Sequence, residues 1–179
     1  MSLPLTRILR PGAAILTALT LLTLITACGF QLRGAVDIPP QFSPIFVEAS
    51  PTSAVGALIR DRLQMSGVKL ASSSKEASAL VRILAERRHA RVGALDRNGK
   101  VIASEIFLQV RFEARDAAGK TLVETSSLEL SRIFENPDVE VLGKQMEAEV
   151  LYGEMSQDIA TQILAMLRAA LPHDQAKKD

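Results

Sequence analysis

The sequence VIASEIFLQVRFEARD, residues 101–116, alternates apolar and polar side chains over its second half. Five apolar residues fall on one side of an extended chain: Ile106, Leu108, Val110, Phe112 and Ala114. The positions between and after them are mostly polar: Phe107, Gln109, Arg111, Glu113 and Arg115. Because successive side chains of a strand point to opposite faces, this pattern predicts a half-buried strand with one mostly polar face.

Two further strand candidates flank this stretch. Residues 79–95 are rich in branched side chains but mix the two faces. Residues 121–134 place three large apolar side chains on one side: Leu128, Leu130 and Phe134. The connections DRNGK and DAAGK contain hairpin residues, and Asn98-Gly99 is a strong signal for a two-residue hairpin turn. We therefore expect three consecutive antiparallel strands.

A strand and a helix are predicted before this group. Residues 45–49 form a short apolar run typical of a strand. The hydroxyl residues that follow suit the N-cap of a helix of about 13 residues, and Gly67 lies where a left-handed C-terminal residue belongs. The apolar positions of this helix recur at helical spacing: Val55, Leu58, Ile59 and Leu63.

A longer helix is predicted after the strands, from about residue 146 to residue 171, with Pro172 ending it. Asn136 is suited to cap a helical start that Gly143 interrupts. The predicted inner stripe of the helix is Leu151, Met155, Ile159, Ile163, Met166, Leu167 and Ala170.

The order β-α-β-β-β-α predicts an α+β fold. We expect a two-layer sandwich in which a mostly antiparallel four-stranded sheet carries two helices on one face. The first strand would join the sheet by a right-handed crossover through the first helix.

The N-terminal segment has the pattern of a secretory signal. Arg7 and Arg10 precede an apolar run of about 14 residues, which is shorter than the roughly 20 residues of a membrane span. Residues 1–27 are therefore interpreted as a signal peptide, with a single-pass anchor as the alternative.

Cys28 follows this segment and is the only cysteine of the chain. The order Ile25-Thr26-Ala27-Cys28 resembles the bacterial lipobox, in which the cysteine is acylated and becomes the new N-terminus. A buried cysteine or a reactive one with a neighbouring base are the alternatives. Stable membrane attachment by acyl chains requires two or more of them.

The remaining chain divides into three parts. Residues 28–42 form a lipidated N-terminus and tether, residues 43–171 a single α+β domain, and residues 172–179 a disordered tail. Without the signal peptide, the 21 basic residues become 19 against 20 acidic ones. This balance does not favour nucleic-acid binding, and the absence of tryptophan argues against an aromatic sugar-binding platform.

Catalytic and metal-binding patterns are not evident in the sequence. His89 and His173 have no partner ligands at metal spacing, and no serine lies in a nucleophile elbow. We therefore expect a protein that is not an enzyme and that needs no cofactor or metal.

Charge is unevenly placed along the chain. Residues 82–100 carry six basic against two acidic side chains, and residues 135–158 carry seven acidic side chains against Lys144 alone. Such runs indicate either solvated faces or two separate partner surfaces. Arg97 and Lys100 flank the Asn-Gly turn, so both are expected at a loop tip, where binding residues concentrate.

Several segments together resemble one known family. The start Cys-Gly-Phe-Gln-Leu-Arg-Gly, residues 28–34, is similar to that of the lipopolysaccharide (LPS)-assembly lipoprotein family, LptE. DRNGK resembles the central hairpin of that family, and FENPDVEVLGKQMEAEVLYGEM resembles the start of its last helix.

The resemblance implies an outer-membrane lipoprotein that occupies the lumen of the LptD β-barrel. There it would help assemble the barrel and help transport LPS to the cell surface, with acyl chains such as palmitate holding Cys28 in the inner leaflet, on the periplasmic side. Gly29 fits the sorting pattern of outer-membrane lipoproteins. The implied partners are LptD and LPS.

The resemblance also implies LPS-binding residues. Arg97 matches the basic residue of the central hairpin tip, with Lys100 beside it, and Lys144 matches a lysine after the Asn-Pro turn if one residue is inserted. The polar C-terminal tail is shorter than in the family. A stand-alone periplasmic lipid- or glycan-binding lipoprotein is the alternative function, and an esterase-like enzyme is a third.

Overall fold

The computed structural model describes the backbone of residues 38–135 and 141–171, and the side chains of residues 38–135 and 146–171. The proposed signal peptide, Cys28, most of the tether and the C-terminal tail lie outside these residues. After a short 3-10 turn, Pro40–Phe42, the elements are β1 Ile45–Glu48, α1 Ala54–Met65, β2 Ala79–Leu95, β3 Val101–Asp116, β4 Thr121–Glu135 and α2 Val141–Ala170.

The four strands form one sheet in the order β1-β2-β3-β4. β1 runs parallel to β2, with Ile45 opposite Ala79, because the chain returns through α1 between them. The β2–β3 and β3–β4 pairs are antiparallel hairpins. The predicted α+β fold with a mostly antiparallel sheet is confirmed.

The core lies between one face of the sheet and the two helices. The five alternating apolar residues predicted on β3 are all buried. Helix residues from both α1 and α2 belong to the same hydrophobic cluster, among them Val55, Ile59, Leu63, Met155, Ile159, Ile163 and Leu167. Both helices therefore pack on the same face, as expected, and the opposite face of the sheet is called the open face below.

The N-terminus of α1 is capped by a serine that also contacts the sheet. Ser53 Oγ accepts a hydrogen bond from the Gly56 amide at 2.9 Å and donates one to Glu86 Oε2 at 2.6 Å. A Cβ at Gly56 would lie 2.5 Å from the Cβ of Ala49, so this position favours glycine. The predicted C-terminal glycine, Gly67, has φ of +77° and follows the end of the helix.

α2 is longer than predicted. It begins by Val141 rather than near residue 146, and it continues through Gly143. Its buried stripe is also wider than predicted: Met166 is exposed, whereas Tyr152, Ser156, Ala160 and Leu164 are buried. The stripe is wide because α2 packs against both α1 and the strands β3 and β4. No helix in the described part of the chain has an apolar stretch that could cross a membrane.

A bulge at Leu84 changes the face on which the side chains of β2 lie. Ile83 pairs with Phe112 and Ala85 pairs with Arg111, so Leu84 is an extra residue in β2. Before the bulge the odd-numbered residues face the core, and from Glu86 to Val92 the even-numbered residues lie on the helix side. Further register shifts follow Val92. This change of phase explains why the sequence of residues 79–95 mixes the two faces.

Candidate binding surfaces of the β2–β3 hairpin

The tip of the β2–β3 hairpin is closed by a three-residue loop. The Asp96 amide donates to the Lys100 carbonyl at 2.8 Å, and the Gly99 amide donates to the Asp96 carbonyl at 3.1 Å. Gly99 has φ of +80°, whereas Asn98 does not adopt a positive φ. The two-residue Asn-Gly turn is therefore a wrong prediction, because glycine alone supplies the left-handed residue that closes a three-residue loop.

An aspartate fixes the shape of this loop. Asp96 Oδ1 accepts hydrogen bonds from the amides of Asn98 and Lys100, both at 2.8 Å. The β3–β4 turn repeats the arrangement, since Asp116 Oδ1 accepts from the amides of Ala118 at 2.9 Å and Lys120 at 2.8 Å. Both turns share the pattern Asp-x-x-Gly-Lys, which is the sequence signal for this loop.

The hairpin tip combines cations with exposed apolar side chains. Arg97 and Lys100 are both exposed, as predicted. Three large apolar residues near them are also exposed: Val92 by 56%, Leu95 by 55% and Ile102 by 44%. Such a surface has complementary groups for a ligand that is both anionic and apolar.

Lys144 lies in the first turns of α2, but its side chain is outside the described part of the chain. Its assignment as an LPS-binding residue therefore stays a prediction.

Part of the basic strand pairs with part of the acidic helix. Arg88 Nη1 lies 3.0 Å from Glu149 Oε2, and its guanidinium carbon lies 4.8 Å from the centre of the Tyr152 ring. Tyr152 Oη donates to the His89 carbonyl at 3.1 Å. Burial raises the pKa of Tyr152, and Glu149 raises it further against the opposing effect of Arg88. These side chains therefore join α2 to β2, and Glu149 is 69% exposed in this ion pair.

The open face carries a stack of rings and a guanidinium. The His89 and Phe107 rings are parallel with centroids 4.6 Å apart, and the Arg91 guanidinium carbon lies 4.9 Å from the Phe107 centroid. Arg91 is also 2.7 Å from Glu105. The hydrogen bond from Arg91 lowers the pKa of Glu105, with a contribution from Ser131, against the effect of desolvation.

Glu113 is the centre of a second charged group on the open face. Its carboxylate lies 3.2 Å from Arg82 and 3.4 Å from Arg115, and accepts from Thr125 Oγ1 at 3.1 Å. Burial favours the neutral acid, but the Arg115 and Thr125 hydrogen bonds and the charge of Arg82 outweigh it, so the pKa of Glu113 is lowered. Arg82 also lies 2.7 Å from Glu48, whose hydrogen bond raises the arginine pKa.

Among the described residues, no three histidine, cysteine or acidic side chains form a group that could hold a metal ion. The arrangement on the hairpin is suited to bind anions, through exposed guanidinium and ammonium groups on rigid strands.

Comparison with known proteins decides the family. The profile of the LptE family, described as lipopolysaccharide-assembly, matches residues 42–167. The chain belongs to the LptE family. Its role is therefore in LPS assembly.

Relatives of the LptE family match most of the chain. The LPS-assembly lipoprotein LptE of Yersinia enterocolitica is 31% identical over 153 residues, which cover 83% of this chain and 72% of the relative. The LPS-assembly lipoprotein LptE of Yersinia pestis is 29% identical over 152 residues, with the same coverage.

Solved structures of lipoproteins share the fold. Lipoprotein B of Nitrosomonas europaea is similar with a TM-score of 0.63 and 28% identity, over 76% of this chain and 88% of that one. The rare lipoprotein B of Shewanella oneidensis, 22% identical, has the same TM-score over 70% of this chain and 93% of that one. These likenesses agree with the sheet and two helices expected for an LptE domain.

Sequence reasoning missed two features of this LptE domain. Tyr152 packs between α2 and β2, and no local pattern in the sequence indicates this contact. The second feature is the distribution of the β2 arginines over both faces of the sheet. Its sequence signal is the interruption of the apolar-polar alternation around Leu84.

Proposed function

We propose that this chain is an outer-membrane LptE lipoprotein that binds LPS at the tip of the β2–β3 hairpin while lying in the lumen of the LptD barrel. The observation that carries the proposal is the tip itself. There Arg97 and Lys100 lie beside exposed apolar side chains on a rigid turn. The family supports the wider role in LPS assembly.

LPS offers groups that complement this tip. Its lipid part carries phosphates and acyl chains, so it is anionic and apolar within one molecule. The guanidinium of Arg97 presents a fork of donors that fits phosphate oxygens, and Lys100 adds a compact charge. Val92, Leu95 and Ile102 supply apolar surface for the acyl chains.

The proposed place inside a barrel agrees with the polar surfaces of the domain. The open face carries several ion pairs, and the interior of large barrels is polar. Acylation of Cys28 would hold the domain at the inner leaflet of the outer membrane, next to the barrel. In this role the protein assembles and binds, and it performs no catalysis.

The partner and the anchor are tested together. The intact lipoprotein is extracted in mild detergent and purified, and we expect it to retain a large outer-membrane barrel that mass spectrometry identifies as LptD. Cys28→Ala should remain unacylated in metabolic palmitate labelling, because the thiol is the only acceptor in the lipobox. Recovery of the native protein only as a free monomer would favour the stand-alone binding lipoprotein, and normal labelling of Cys28→Ala would refute the anchor.

LPS binding at the hairpin tip is tested by reversing its charges. Arg97→Asp combined with Lys100→Asp should weaken LPS binding at least about tenfold, since one hydrogen bond to a charged group contributes about 1.5 kcal/mol or more. Binding is measured by titration of LPS at fixed ionic strength, because salt screens such contacts.

The matched control is Lys75→Asp combined with Lys120→Asp. Lys75 is exposed in a loop, and Lys120 occupies in the β3–β4 turn the place that Lys100 has at the tip. This control changes the net charge by the same amount. Equal weakening in both double variants would mean that LPS responds to total charge and not to the tip.

A further inference from the structure

The open face contains arginines that are neutralised within the sheet. Arg82, Arg91 and Arg115 each lie within 3.4 Å of a carboxylate of the same face. A guanidinium that is paired in this way has little remaining attraction for an external anion.

Two other arginines of the open face differ from these. Arg87 on β2 and Arg111 on β3 are exposed, and neither makes an ion pair or hydrogen bond through its side chain with another described residue. The bulge at Leu84 places Arg87 on this face, since Arg88, the next residue, contacts Glu149 on the helix side.

The register brings these two arginines together. Arg87 is opposite Gln109, and Arg111 is opposite Ala85, so the two are diagonal neighbours on adjacent strands, with their Cα atoms about 7 Å apart. Two carboxylates lie near Arg111 on this face: Glu113, two residues along β3, and Glu129, opposite Gln109 on β4. Glu113 pairs with Arg82 and Arg115 and not with Arg111. Glu129 accepts a hydrogen bond from Gln109 at 3.2 Å and pairs with neither arginine.

Two neighbouring cations on a rigid sheet repel each other, and an anion between them removes the repulsion. The parallel stack of His89 and Phe107 lies directly beside Arg87 on the same face and limits the movement of this part of the sheet. The backbone of both arginines thus lies in strands rather than in a flexible loop, which reduces the backbone entropy lost when the two residues bind a common ligand.

We propose that Arg87 and Arg111 form a second anion site, separate from the hairpin tip, that binds a phosphate monoester on a saccharide headgroup. A phosphate monoester carries a charge of about −1.5 to −2 at neutral pH and three acceptor oxygens, which matches two guanidinium forks better than a single carboxylate does. The saccharide source of the phosphate rests on the proposed function of the chain. The assignment of the anion site does not depend on it.

The site is tested with the intact lipoprotein in neutral detergent and with glucosamine 1-phosphate as the probe. Binding is followed from the Arg side-chain N–H signals in NMR and by titration calorimetry. We expect saturable binding that Arg87→Gln combined with Arg111→Gln weakens at least tenfold. The control, Lys75→Gln combined with Lys120→Gln, removes the same charge from exposed positions elsewhere and should bind like the wild type.

A second measurement separates an anion site from a structural role of the arginines. The thermal unfolding midpoint of Arg87→Gln with Arg111→Gln should be unchanged or higher, since two unpaired like charges are removed. A lower midpoint with unchanged probe binding would overturn the proposal. Equal loss of binding in the lysine control would overturn it as well.

The remaining comparisons identify the source of the phosphate and keep the two proposals distinct. Inorganic phosphate should bind more weakly than glucosamine 1-phosphate, and equal affinity would overturn the saccharide headgroup as the ligand. Arg97→Asp with Lys100→Asp should leave binding at this site intact. If the native protein fails to retain a barrel but the Arg87 and Arg111 signals still respond to the probe, the proposed function fails and the anion site stands.

Discussion

Insertion of one alanine between Ala85 and Glu86 is expected to abolish the stable folded domain. The added residue would reverse the phase of every later side chain of β2, and Arg87 and His89 would move to the helix side of the sheet. Glu86 and Arg88 would move to the open face and lose their contacts with Ser53 and Glu149. Placing unpaired charges beneath helices costs about 3–5 kcal/mol each, which approaches the whole stability of a small domain.

Urea unfolding followed by circular dichroism measures this effect. The matched control is Leu84→Ala, which keeps the number of residues and truncates a side chain that is 38% exposed. This control should change the free energy of unfolding by less than about 1 kcal/mol. An insertion variant that unfolds cooperatively at the wild-type midpoint would show that the strand absorbs the added residue in a further bulge, and that the register after Ala85 does not determine which charges face the helices.

Phe112→Ala is expected to lower the free energy of unfolding by about 3–5 kcal/mol. Phe112 is among the largest fully buried side chains of the domain, in the C-terminal third of β3 and opposite Ile83. Its removal forfeits the transfer free energy of the ring and leaves a cavity that strands on both sides prevent from closing.

The change in unfolding free energy is measured by urea titration at constant pH. Ile133→Ala is the control, because this isoleucine is also in the sheet but is 68% exposed, and its loss should remain within about 0.5 kcal/mol. A loss below about 1 kcal/mol for Phe112→Ala would indicate that the core between sheet and helices is loosely packed.

Local pattern predicted much of the fold. The alternation of β3, the cap at Ser53 and the left-handed Gly67 depend on residues close in sequence, and the structure contains all three. The prediction failed for the start of α2, because Gly143 has a low intrinsic helix propensity that does not end this helix. It also failed for the Asn-Gly turn, where the carboxylate of Asp96 favours a longer loop.

The residues of the candidate sites also divide into those that local sequence predicts and those that it does not. Arg97 and Lys100 were predicted because a turn signal places its flanking residues at a tip. The proximity of Arg87 and Arg111 was not predictable, since it depends on strand register and on a one-residue bulge, both of which are set by packing between distant segments. The Arg88–Glu149 contact joins positions 61 residues apart and has no local signal either.

The connectivity of the sheet has a consequence for the order in which it forms. β2, β3 and β4 follow one another through two short turns of the same construction, so their pairing closes only small loops. β1 must instead bring residues 34 positions apart into parallel register across α1, and such distant pairings are slow to nucleate. The three-stranded meander is therefore the early folding unit, and the strand nearest the amino terminus completes the sheet last.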